Sequence, residues 1–218
     1  MATLAIIPML LNILSVILGV SVFYIVSDLA KVHKKKRAEQ AISHIVNFVL
    51  FLWLSKILLN LPLLFSDPLA LLAYPSDSKA FYLAIFFSAA SLFYGMTSGR
   101  IHGWQLIQTL LYILLPASFF YAFAQIAWFD DAYAFGNLIV YAVLLALFLA
   151  LKDRLSPNRV GSVLLSVWAA GMFLIFSVQS YASAFGYGME PWFIFILFTA
   201  GHLIILLSTR RRALHEFD

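Results

Sequence analysis

Apolar residues occur along this chain in long runs that are separated by short polar stretches. The runs cover residues 4–26, 42–65, 80–94, 104–129, 135–151, 160–185 and 192–208. A helix needs about 20 apolar residues to cross a hydrocarbon layer of about 30 Å. The pattern therefore predicts an all-α, polytopic integral membrane protein, a bundle of seven transmembrane helices. The runs at 80–94 and 135–151 are short for a full crossing, so we expect those helices to begin in the flanking loops or to run nearly upright.

The composition supports a membrane protein. Hydrophobic residues make up 63% of the 218 residues and charged residues only 11%, whereas soluble domains are about half apolar and about a quarter charged. A soluble fold of this length could not bury so much apolar surface. No Gly/Pro-rich linker divides the chain, so we expect a single transmembrane domain over residues 1–218. The expected location is the cell membrane, plasma or inner, with several crossings.

The charges predict how the helices are oriented. Four polar stretches are basic, "KVHKKKRAE", "GRIH", "KDRLSPNR" and "TRRRALHEFD", and they alternate with stretches that hold five acidic residues against Lys79 alone. Basic stretches lie on the cytoplasmic side of membranes. The N-terminus is therefore predicted outside and the C-terminus in the cytoplasm. The same basic stretches should attract anionic lipid headgroups, by about 1 kcal/mol per charge, and we predict no nucleic-acid partner.

The absence of cysteine excludes several kinds of chemistry. With no Cys in the chain, thiolate catalysis and Cys-ligated metal or iron–sulfur sites are ruled out. No acid–base pair or nucleophile constellation stands out either. The sequence thus favours a protein that is not an enzyme, and it predicts no cofactor or metal.

Polar side chains inside the apolar runs are the candidate site. Such groups are costly in a membrane and are therefore functional candidates. Helical rotation of about 100° per residue places His44 and Asn47 on one stripe of the second span. It places Gln105, Gln108 and Tyr112 on one face of the fourth span. All six are predicted in the cytoplasmic halves of their spans, where they would line one solute-binding cavity: His44, Asn47, Gln105, Gln108, Tyr112 and His202. This predicts a small-solute permease or carrier, with proton coupling through one of the histidines.

A gating mechanism is predicted from a second group of residues. Pro116 lacks a backbone N–H and can kink the fourth span. Spans one to three cross the membrane in the same in/out order as spans five to seven. This permits two parallel three-helix repeats that rearrange about the fourth span. Lys56 lies deep in the second span, and we predict that it pairs with Asp130, Asp131 or Glu190 in an external seal. The simpler interpretation is that the Lys56 ammonium extends to the headgroups.

Three alternatives remain open from the sequence. The polar residues could only join packed helices, at about 0.6 kcal/mol per hydrogen bond. The protein could be a non-catalytic subunit or sensor that docks a partner membrane protein. Less favoured is electron transfer through a b-type haem held by His44 and His202, because there is no second histidine pair.

Overall fold

The computed structural model describes residues 2–67, 71, 77–99, 101, 103–179 and 181–215, with side chains described between Leu10 and Leu206. These residues are almost entirely helical. The elements in chain order are α1 (Ala2–Val26), α2 (Lys31–Leu59), α3 (Leu61–Ser66), α4 (Ser78–Thr97), α5 (Gly103–Phe129), α6 (Ala134–Leu151), α7 (Pro157–Gln179), β1 (Ser183–Ala184), β2 (Tyr187–Gly188) and α8 (Pro191–His215).

Five helices in the described part of the chain are long and apolar enough to cross a membrane. They are α2, α4, α5, α6 and α7. Where side chains are described, α1 and α8 contribute the apolar segments Leu10–Val26 and Pro191–Leu206. The runs that looked short in the sequence lie in helices of 20 and 18 residues, because α4 and α6 extend beyond the apolar run. The prediction of an all-helical, multi-pass membrane protein is confirmed at this level.

Helix α2 differs from the predicted second span at both ends. It begins at Lys31, so the basic stretch is helical instead of a loop. Lysine, alanine, glutamate and glutamine are good helix formers, and Lys35 faces Glu39 one turn later at 3.9 Å. The helix ends at Leu59 because Pro62, near the start of α3, has no N–H to continue the ladder. The run predicted to reach residue 65 is thus divided between α2 and α3.

Helix α7 ends before the predicted sixth span does. The apolar run extends to residue 185, but the helix stops at Gln179 and an antiparallel hairpin follows, with Ser183 opposite Gly188. Its two turn residues, Phe185 and Gly186, have φ of 51° and 83°. Positive φ at both central residues is the geometry of a type I′ turn, and glycine supplies it without strain.

The chain divides into two compact units, residues 1–114 and 115–218, and the division falls inside α5, just before Pro116. In the first unit, Phe23, Ala38 and Ala41 form a buried cluster with Leu106 and Ile113. This cluster joins α1, α2 and the first half of α5. Helix α2 also packs along α4.

The second unit is held together by close contacts at glycines. Helix α6 packs on α7, and α7 packs on α8. A Cβ placed on Gly171 would lie 2.7 Å from Val140, and one on Gly201 would lie 2.5 Å from Leu165. Small residues let membrane helices approach closely, so these glycines fix the spacing of α6, α7 and α8. The prediction of one domain, and that of paired repeats, stay predictions.

Candidate functional site

The six predicted cavity residues are distributed over both units. Five belong to the first unit: His44, Asn47, Gln105, Gln108 and Tyr112. His202 belongs to the second. A single cavity lined by all six therefore stays a prediction, and each unit is considered by itself.

Two of the first-unit residues lie on α2, beside its contact with α4. Phe48 and Phe51 pack on Phe81 and Phe87, with ring centroids 5.8 and 6.0 Å apart. His44 and Asn47, the candidates on the same helix, are half-buried. Neither makes a side-chain hydrogen bond to another residue that the structure describes.

The candidates on α5 fall into two groups. Gln108 is half-buried and Gln105 exposed, and neither amide side chain bonds to a described residue. Tyr112 instead packs its ring against Phe23, edge to face at 5.8 Å. Thr109 is buried and donates its hydroxyl to the backbone carbonyl of Gln105 at 2.7 Å. Tyr112 and Thr109 therefore contribute to packing, whereas the two glutamines keep their hydrogen-bonding groups.

His202 is held in the contact between α7 and α8. Its Nδ1 lies 3.0 Å from the carbonyl of Phe198, which only accepts, so Nδ1 carries the proton and donates. The neutral ring then accepts at Nε2 from the hydroxyls of Ser162 and Ser166, at 3.1 and 3.3 Å. Both ring nitrogens are thus engaged. A haem iron would need the Nε2 lone pair that the two hydroxyls share, so this arrangement does not favour the haem alternative.

The predicted external seal combines residues of both units and also stays a prediction. The Lys56 side chain is buried, 5% exposed, and its ammonium lies 5.1 Å from the ring centroid of Trp53. A lysine extended to the headgroups would be exposed, so the simpler interpretation of Lys56 is not supported. Asp130 and Glu190 are exposed, and Asp131 is half-buried.

A polar cavity in the second unit was not predicted from the sequence. It has a volume of about 20 Å³ and lies between α5, α6 and the hairpin. We call it the hairpin cavity, and its lining residues are Tyr121, Ala122, Gln125, Asp131, Ala134, Asn137, Tyr141, Ser183 and Phe185. The Asn137 amide donates to the Ser183 hydroxyl at 3.2 Å, and the Gln125 amide donates to the Tyr121 hydroxyl at 2.9 Å. Asn137 within an apolar run was the signal that could have indicated this site.

The described helices define the class of this protein, a multi-pass α-helical membrane protein. No protein-family model matches the chain, and neither a curated protein nor a solved structure matches it. Among the described residues, no group of three or more histidine, cysteine, aspartate or glutamate side chains could hold a metal ion. The function therefore has to be inferred from the polar side chains and their partners.

Proposed function

We propose that this protein is a small-solute permease or carrier of the cell membrane. The proposal includes seven transmembrane helices, with α1 and α8 crossing in addition to the five long helices, the N-terminus outside and the C-terminus in the cytoplasm. The alternation of basic and acidic stretches supports this orientation. Anionic lipid headgroups would contact the basic start of α2 and the basic end of α8.

The observation that carries the proposal is a set of unpaired polar side chains on apolar helices. His44, Asn47 and Gln108 are half-buried and make no side-chain hydrogen bond within the described part of the chain. In hydrocarbon, an unsatisfied polar group costs several kcal/mol. These side chains are therefore expected to face water or a polar solute and not lipid, as a permeation pathway requires.

The other candidates have different roles in this proposal. Gln105 is exposed and can contact a solute at the same face of α5. Tyr112 supports the wall through its contact with Phe23. His202 is assigned to the contact between α7 and α8, so proton coupling would depend on His44. Pro116 removes one backbone hydrogen bond from α5 and is the point about which that helix would bend.

Accessibility to water can be measured directly, because the natural chain contains no cysteine. Asn47→Cys and Gln108→Cys each introduce a single thiol at a proposed polar face. Val46→Cys and Leu50→Cys are the controls on α2, since Val46 and Leu50 are 51% and 60% exposed and apolar. The thiolate is the reactive form and is disfavoured in apolar surroundings.

A charged, membrane-impermeant maleimide should label the two test thiols in intact membranes about tenfold faster or more than the controls. Equal, slow labelling of all four variants in membranes and in detergent would remove the basis of the permease proposal. The side from which labelling occurs also tests the topology, because the proposed cavity opens to the cytoplasm.

The solute can then be sought by a thermal-shift screen of metabolites on purified protein. A bound solute raises the melting temperature according to its concentration relative to its Kd. The wild-type protein and His202→Ala should respond alike, whereas Asn47→Ala should not respond. A solute that stabilises Asn47→Ala as much as the wild type would exclude Asn47 as a contact.

A second candidate is a non-catalytic subunit or sensor that docks a partner membrane protein. It is favoured by the surface beside the polar residues of α2, where Val49, Leu50 and Trp53 are 44%, 60% and 43% exposed. A partner helix there could bond Asn47 across the contact. This candidate predicts that Asn47→Cys is protected in native membranes and becomes reactive once the protein is purified.

A further inference from the structure

The hairpin cavity is open to a ligand of about the size of one water molecule. Its volume is about 20 Å³, and a space of about 10 to 15 Å³ is enough to hold a water. It lies wholly within the second unit, so what binds there does not depend on the proposed solute pathway of the first unit.

Three acceptor oxygens around this cavity have no donor among the residues that the structure describes. The Asn137 and Gln125 amide groups already donate, to Ser183 and Tyr121 respectively. Asn137 is 7% exposed, and its Oδ1 is buried with no hydrogen-bond partner in the structure as described. Asp131 accepts from the Tyr133 N–H at only one carboxylate oxygen. The acceptors that remain are the amide oxygens of Asn137 and Gln125 and one carboxylate oxygen of Asp131, and each amide also keeps one N–H.

A ligand that pairs with these oxygens must supply positive charge or hydrogen-bond donors. A buried acceptor without a partner costs about 1–3 kcal/mol, and Asp131 adds a carboxylate to the described lining residues of the cavity. The rings of Tyr121 and Phe185 lie 5.7 Å apart at the same wall, and aromatic faces attract cations. We propose that the hairpin cavity binds one bare monovalent cation, with ammonium the best match in size and in number of donors.

The proposal is tested by thermal unfolding at constant ionic strength and pH 7. Choline chloride, whose cation is too large for the cavity, is replaced stepwise by ammonium, potassium or sodium chloride. Ammonium should raise the melting temperature saturably, by about 3 to 6 °C at ten times its dissociation constant. No saturable rise with any of the three ions would mean that the cavity holds water only, and it would overturn the proposal.

Three variants connect the effect to the cavity. Asp131→Asn removes the charge but keeps an oxygen for the Tyr133 N–H, and it should weaken ammonium binding about tenfold or more. Asp130→Asn is the matched control, because Asp130 is exposed and does not line the cavity. Asn137→Asp adds a carboxylate and should strengthen binding. An equal response of wild type and Asp131→Asn, or weaker binding by Asn137→Asp, would show that the ion acts elsewhere.

Discussion

Replacing His202 by alanine should weaken the contact between α7 and α8 in the absence of any solute. The loss of unfolding free energy follows from the hydrogen bonds across the contact. Two hydroxyls of α7, those of Ser162 and Ser166, donate to the imidazole. Hydrogen bonds between membrane helices contribute about 0.6 kcal/mol each on average. The two hydroxyls share one lone pair of Nε2 and together count as one such bond, so His202→Ala should lower the free energy of unfolding by about 0.6 kcal/mol.

The serine variants should not be additive. Nε2 of a neutral imidazole has one lone pair, so Ser162 and Ser166 share it. When one hydroxyl is removed, the other takes the whole lone pair, and each single Ser→Ala variant should cost about 0.2 kcal/mol or less. The double variant should cost about as much as His202→Ala, near 0.6 kcal/mol. This pattern separates a shared acceptor from two independent bonds.

The assay is reversible unfolding of the detergent-solubilised protein in sodium dodecyl sulfate, followed by helical circular dichroism. Ser177→Ala is the matched control on α7, because Ser177 is exposed and donates within its own helix to the carbonyl of Leu174. If His202→Ala and the double serine variant cost no more than this control, the packing role is refuted. His202 would then be available to a solute, as the sequence suggested.

Two glycine substitutions test the packing of the second unit. Gly171→Ala should destabilise the protein by about 1–3 kcal/mol, because its Cβ would lie 2.7 Å from the stiff side chain of Val140. This steric cost should outweigh the gain in helix propensity from glycine to alanine, about 1 kcal/mol. Adding Val140→Ala should recover most of the loss in the same unfolding assay, and no recovery would place the strain elsewhere. Gly186→Ala should loosen the hairpin by about 1–3 kcal/mol, since φ is 83° and the new Cβ would lie 2.6 Å from the Tyr121 hydroxyl. Hydrogen exchange at residues 183–188 measures this, and unchanged protection would contradict it.

Hydropathy predicted the helices well and their ends poorly. A run of apolar residues reports contact with lipid, whereas a helix continues as long as its residues tolerate helical geometry. For this reason α2 begins at Lys31, well before its apolar part, and ends at Leu59, before the run does. After Gln179 the apolar pattern predicted more helix than the structure has. The segment "SAFGYG" there is apolar in composition but contains a turn glycine. A hydropathy window cannot distinguish a helix that extends beyond its apolar residues from an apolar segment that forms a turn.

The candidate site was predictable only where it depends on local spacing. His44 and Asn47 share a face of one helix, and helical rotation alone places them together. The hairpin cavity instead brings Asn137 to Ser183, residues 46 positions apart. That pairing depends on the end of α7 and on the turn that follows it, and neither was predicted. A single sequence shows which residues are polar, but not which of them satisfy one another.

Hydrogen bonding divides the polar residues of the apolar helices into two classes. His202 and Thr109 have partners on the protein, and such residues contribute to stability whether or not the protein has any ligand. Asn137 keeps a buried oxygen without a partner, and Asn47 keeps its whole amide, among the residues described. An apolar side chain at position 47 would avoid the cost of an unpaired polar group. At position 137 it would also remove the hydrogen bond to Ser183. If the proposed solute site exists, removing the Asn47 amide should impair solute binding more than stability.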